Sequence, residues 1–279
     1  MHIHIQPWRD VKPAVLAALR RGRESHWDAL IGVMENPAAL LELLDRAGVW
    51  RVGLVNYPAP DVMGFTDTTN TFAARYAQAN PERLLPYGGV HPRLTRDAAG
   101  DVDRLVELGI RAVKVHPPHQ EFAANAYTDG LAPLAQIYRR CEERGVPVMI
   151  HTGTSVFPGA RSKYGNPLEL DDVAIDFPDL KIVMAHGGRP LYMAEAFFVL
   201  RRHPHVWLDV SGIPPARLLE YFPRLAEVAD RVLWGTDWPS PGVTDMRRNI
   251  DQFLALPLSD AQKRAILETN ALALFPAAR

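Results

Sequence analysis

The chain has 279 residues, 47% of them hydrophobic, with 31 basic against 32 acidic side chains and a formal net charge of -1. That length fits one domain with a large core, and the charge balance gives no reason to propose a nucleic-acid or polyanion partner. There is no apolar run of about 18 residues to span a membrane, no basic-then-apolar leader, and only one cysteine, Cys141, so a reduced cytoplasmic protein without a disulfide is expected.

The chain opens with Met1-His2-Ile3-His4-Ile5. On a strand, alternate side chains share a face, so His2 and His4 point the same way. A barrel strand usually has more residues before its last turn; either this strand is very short or the natural start lies upstream. Residues 6–34 lack a clear strand and read as a long first loop with some helix, lying over the mouth of a site. Regular alternation begins at Asn36-Pro37, a cap and a first helical position, with Gly48 as the stop. A short strand follows at 51–56, then a helix over 68–79 and a strand over 84–90 ended by His91. A helix over 97–108 leads to a strand over 110–115 ended by His116-Pro117.

The later units are cleaner. A helix over 130–144 precedes strand 146–150 and His151. A helix over 167–177 precedes strand 181–185 and His186. A helix over 191–202 leads to strand 206–210, and a helix over 215–229 leads to strand 232–234 and Gly235-Thr236-Asp237. Two helices, 243–256 and 259–275, complete the chain. Eight near-continuous apolar strands alternating with helices argue for an α/β parallel sheet covered on both faces. The strand ends His116, His151 and His186 are equally spaced at about 35 residues, room for one strand and one helix each. Eight strands is the number of a (β/α)8 TIM barrel, so a single-domain barrel over 1–279 is expected, with an open doubly wound sheet as the alternative.

Reactive residues of such barrels sit at the carboxyl ends of the strands. His4, His91, His116, His151, His186 and Asp237 fall there. His91 and His119 read as hydrogen-bonded packing residues, and so do His26, His203 and His205, which lie in helix or loop contexts. The joint placement of His2, His4, His151, His186 and Asp237 points instead to a metal-dependent hydrolytic enzyme, because imidazole and carboxylate are transition-metal ligands.

Four stretches carry a resemblance: His2-Ile3-His4, Val148-Met149-Ile150-His151-Thr152-Gly153, Ile182-Val183-Met184-Ala185-His186-Gly187-Gly188, and Leu233-Trp234-Gly235-Thr236-Asp237-Trp238-Pro239. In this order they resemble the amidohydrolase superfamily, and more narrowly the amidohydrolase-related group that includes non-oxidative decarboxylases. The likeness runs through Val113-Lys114-Val115-His116-Pro117 and Leu208-Asp209-Val210-Ser211-Gly212. It implies His2, His4, His151 and Asp237 as metal ligands, with Asp237 and His186 catalytic. Three imidazoles and a carboxylate suit zinc with an open position for water; manganese or iron is also compatible. Asp237 would take a proton from the metal-activated water, and His186 would stabilise the oxyanion or protonate the leaving group.

Lys114 shares strand parity with His116. The resemblance allows a carboxylated lysine bridging two metals; an unmodified lysine beside one metal is the expectation. On the loop after His151, Arg161 and Lys163 either clamp a substrate carboxylate or are solvated charges. Trp8, Phe157, Tyr164 and Trp238 are candidate walls of an apolar or aromatic pocket. The expected activity is hydrolysis of an amide, lactone or ester of a small carboxylate-bearing compound. Decarboxylation of an aromatic or unsaturated acid is the alternative, disfavoured because decarboxylases of this group often carry extra segments. Related barrels often dimerise, so the resemblance implies a homodimer, with a small molecule and neither nucleic acid nor membrane as partner.

Overall fold

The computed structural model describes residues 1–276 apart from Pro241 and Thr244. Eight strands form one sheet in sequence order: β1 His2–Ile3, β2 Val52–Leu54, β3 Leu84–Gly88, β4 Ala112–Val115, β5 Val148–His151, β6 Ile182–Ala185, β7 Val206–Asp209 and β8 Val232–Leu233. Every neighbouring pair is parallel. The two edges meet: Ile3 bridges Trp238, and the amides of His4 and Asp237 donate to the carbonyls of Trp238 and His2. This is the expected TIM barrel rather than an open sheet.

The strands read as apolar runs because they are buried on both faces. Val148, Ile150, Val183 and Met184 are wholly buried, each contributing roughly 1.5–3 kcal/mol of burial free energy. The helix Pro37–Ala47 starts where Asn36 accepts from the Ala38 amide and stops at Gly48 in the left-handed conformation. Cys141 is buried in the helix Ala132–Glu143, a packing residue as expected.

Three expectations need revision. The first segment is more ordered than a loop, with helices Pro13–Arg20 and Trp27–Glu35; Trp8 stacks on Trp27 at 5.3 Å. The single helix expected over 215–229 is instead three short pieces, Pro215–Arg217, Leu218–Tyr221 and Leu225–Arg231. Pro223 has no amide hydrogen to donate and its ring clashes with the preceding turn, so a continuous helix cannot pass it. The helix expected over 243–256 runs Met246–Leu254, and Thr244 lies outside the described residues. No helix among the described residues is long and apolar enough to cross a membrane.

Candidate metal centre

Parallel topology brings all carboxyl ends of the strands to one rim. His4 follows β1, Tyr57 lies beyond β2, Lys114 is within β4, His151 ends β5, His186 follows β6, Asp209 ends β7 and Asp237 follows β8. A cavity of about 120 Å³ opens among them, with His4, Lys114, His116, His151, His186, Arg189 and Asp237 in its wall. Trp8 and Leu19 line it too, so the first segment does lie over the mouth. A larger cavity, about 440 Å³, lies towards the other ends of the strands, lined by Met1, Val49, Trp50 and Phe275. The chemistry, not the volume, identifies the site.

The hydrogen bonds fix where the protons are. His2 Nδ1 is 2.5 Å from Asp209 Oδ2, and His4 Nδ1 is 3.1 Å from the Val55 carbonyl. A carboxylate and a carbonyl only accept, so each Nδ1 carries a proton, and in the neutral form of either ring Nε2 presents a lone pair. The two Nε2 atoms face one another at 3.3 Å. Asp237 Oδ1 lies 3.0 Å from His4 Nε2 and 3.5 Å from His2 Nε2. Three acceptors therefore converge on one point. One proton on His4 Nε2 can be donated in good geometry to only one of Asp237 and His2; a divalent cation satisfies all three. The ligand atoms of His2, His4 and Asp237 lie within 4.8 Å of one another, the span a single ion can bridge.

His151, the expected fourth ligand, stands outside that trio. Its ring stacks on His116 with centroids 3.8 Å apart and meets His186 at 4.7 Å. Its Nε2 is nevertheless buried without a hydrogen-bond partner among the described residues, as are His116 Nδ1 and Lys114 Nζ. Buried polar atoms are almost always paired, so three orphans around one cavity suit a site built for an ion and a polar ligand. The residues present thus fit a divalent cation on His2, His4 and Asp237 with His151 adjacent.

The electrostatics prepare these groups. Burial depresses the His2 pKa, against the pull of Asp209. Burial alone would raise Asp237, but His186, His4 and His2 hold it well below the usual carboxylate range. His186 donates from Nδ1 to the Ser211 carbonyl at 2.8 Å, and burial pushes its pKa down to about 3, so at neutral pH its Nε2 is an acceptor. Burial brings Lys114 to about 8. His186 and Asp237 both adopt positive φ, 69° and 66°. Such backbone is costly for non-glycine residues, and it is tolerated where the surroundings hold a side chain in place. Gly235 lets the groups close up: a Cβ there would come within 2.7 Å of His2 Cβ and 2.9 Å of Asp209 Oδ1.

The rim corrects several expectations. Arg161 does not reach the cavity; its Nε pairs with Glu121 at 3.0 Å on the exposed surface. Lys163 is exposed over the Tyr164 ring, and neither residue lines the cavity. Trp238 is buried with its backbone joined to β1 and does not line the cavity either. Lys114 and His116 do, as does Phe157. His119 is hydrogen-bonded at both ring nitrogens, as a packing residue would be, but to Tyr57 Oη at 2.8 Å and Ser155 Oγ at 2.7 Å in the cavity wall.

Two residues with no role in the sequence reading matter here. One is Arg189, three residues past His186. The other is Asp209, whose signal was an acidic residue ending an apolar strand in register with the other ligand-bearing ends. Asp209 is 1% exposed and also accepts from Ser211 at Oδ1 and Oδ2. Burial raises its pKa, but His2 more than offsets this and keeps it ionised. A carboxylate behind a ligating imidazole orients the ring and raises its basicity. Asp209→Asn is accordingly expected to weaken divalent-cation affinity about 10–100-fold, read by competition with a chelating dye. Unchanged affinity would remove that role.

The family model described as Amidohydrolase matches residues 1–277. A 4-sulfomuconolactone hydrolase from Rhizobium radiobacter is 26% identical over 231 residues, covering 76% of this chain and 68% of that protein. One of the same name from Hydrogenophaga intermedia is 34% identical over 97 residues, only 27% of this chain and 30% of the relative. Among solved structures, an uncharacterized TIM-barrel protein from Bordetella bronchiseptica superposes with a TM-score of 0.70 at 26% identity, covering 85% of this chain and 81% of that one. A 5-carboxyvanillate decarboxylase from Novosphingobium aromaticivorans with bound manganese gives 0.66 at 18% identity, covering 94% and 87%.

Proposed function

This chain belongs to the amidohydrolase family, and from that premise we propose that it is a metal-dependent hydrolase opening a lactone, or cleaving a related ester or amide, of a small anionic compound. The observation that carries the reading is the convergence of the Nε2 atoms of His2 and His4 with Asp237 Oδ1. A divalent cation held there, zinc or manganese by its donor set, would supply Lewis acidity to a carbonyl oxygen and lower the pKa of water.

The chain's own residues do the rest. Asp237, ionised across the neutral range, takes a proton from the attacking water as the new C–O bond forms. His186 Nε2, unprotonated at rest, accepts a hydrogen bond from the same water and orients it. When the lactone C–O bond breaks, the proton on Asp237 passes to the departing alkoxide oxygen, and the new carboxylic acid releases its own proton to solvent. The partial likeness to lactone hydrolases over 76% of the chain supports a cyclic ester as the first substrate class to test.

The decisive assay offers the zinc-loaded protein a panel of five- and six-membered lactones bearing carboxylate or sulfonate groups. Ring opening is followed by base uptake at constant pH and carbon dioxide by headspace analysis. Acid production without carbon dioxide is expected. Carbon dioxide released from an aromatic or unsaturated acid, with no lactone opened, would replace the reading with a carboxy-lyase at the same residues.

A further inference from the structure

We propose that Arg189 is the anchor for an anionic group of the substrate, placed in the wall of the cavity beside Asp237. This rests on the reading of the cavity as the substrate site. The side chain is ion-paired with Asp237 but makes no hydrogen bond among the described residues. Arg189 Nε is buried and has no hydrogen-bond partner among the described residues. Its Nη2 stands 3.8 Å from Asp237 Oδ2, too far for a hydrogen bond. An arginine with only a structural task would close on that carboxylate, whose other oxygen is already committed to His2 and His4.

The backbone makes room for it. Gly212, at φ 69°, lies against the guanidinium: a Cβ there would come within 2.6 Å of Nη2 and 2.9 Å of Nε. The Arg189 amide donates to the His186 carbonyl and its own carbonyl accepts from the Thr154 amide. The residue is thus tied to the turn that carries His186 and to the loop after β5. A guanidinium held this way offers a planar fork matched to carboxylate or sulfonate oxygens.

The charge balance points to the same occupant. Among the described residues, the charged side chains lining the cavity are Lys114, Arg189 and Asp237, with Asp209 just beneath through His2. Two cations balance two carboxylates. A divalent cation then leaves a positive excess equal to its own charge, in a water-poor site where field is weakly screened. A substrate with two negative groups neutralises it: one at the scissile centre as charge develops, and one already present for Arg189.

The test measures binding, not turnover. Glutarate and pentanoate share a five-carbon chain and differ in one carboxylate. Titration calorimetry on the zinc-loaded protein is expected to show glutarate bound about thirtyfold more tightly, and Arg189→Gln is expected to cut that preference to about threefold or less. Arg189→Lys keeps the charge and most of the packing but loses the fork, so an intermediate preference of about fivefold is expected. If Arg189→Gln does not fold, the lysine variant decides alone. Wild-type preference retained in whichever variant folds would overturn the anchor. A protein that shows the Arg189-dependent preference yet opens no lactone would overturn the hydrolase reading and leave the anchor standing.

Discussion

Asp237→Asn is expected to lower kcat/KM by about a thousandfold at saturating zinc, with the melting temperature shifted by no more than a few degrees. The substitution is nearly isosteric, and asparagine is among the side chains that best tolerate the left-handed backbone at φ 66°. The fold therefore has no reason to fail. What changes is the chemistry of one position. The carboxylate now at 3.0 Å from His4 Nε2 loses its charge, and its amide nitrogen cannot accept a proton. Because His186, His4 and His2 hold Asp237 well below the usual carboxylate range, the wild-type base is present throughout neutral pH. The loss should then be a flat drop across pH 6–8, not a displaced profile. Stopped assays beside elemental analysis separate the two jobs of the residue: bound metal retained with turnover lost assigns the proton transfer. A variant with near-normal turnover would remove Asp237 from the reaction and with it the proposed route for the proton.

Much of this site could be read from the order of residues because a parallel barrel converts sequence into position. Each strand end arrives at the same rim, so His4, His151, His186 and Asp237 needed only to end apolar runs to be brought together. His2 and His4 share a face by alternation alone. What could not be read depends on contacts between distant stretches. Asp209 meets His2 across 207 residues, and no local pattern distinguishes it from any acid at a strand end. Arg161 follows β5 and Arg189 follows β6; only one turns inward. Glu121 draws the first to the surface. The missing side chain at Gly212 makes space for the second. The displaced place of His151 has a similar origin: its ring is held in a stack with His116 and His119, and the latter two rings sit 3.5 Å apart. Stacking partners of that kind come from β4 and the short helix Pro117–Gln120, which the sequence did not announce as a helix.

Removing divalent metal is expected to abolish turnover, to below about 1% of the loaded protein, and restoring zinc or manganese to recover it. The argument is the arrangement of protons. With Asp209 and the Val55 carbonyl holding Nδ1–H on His2 and His4, stripping the ion leaves two lone pairs 3.3 Å apart beside a carboxylate oxygen. The metal-free site must relieve that repulsion by taking up a proton or by moving a ring, and either response spoils the array that polarises water. Burial disfavours the first at His2, because it depresses that group's pKa. Movement is resisted by Gly235 and Asp209 packed behind the ring. The repulsion is then paid in stability, so zinc in excess over its dissociation constant should raise the melting temperature by several degrees. Calorimetric melting with and without the ion, on wild type and on His2→Ala, checks this. Equal melting temperatures in wild type, together with full turnover after exhaustive chelation, would show that the three acceptors do not gather around a cation at all.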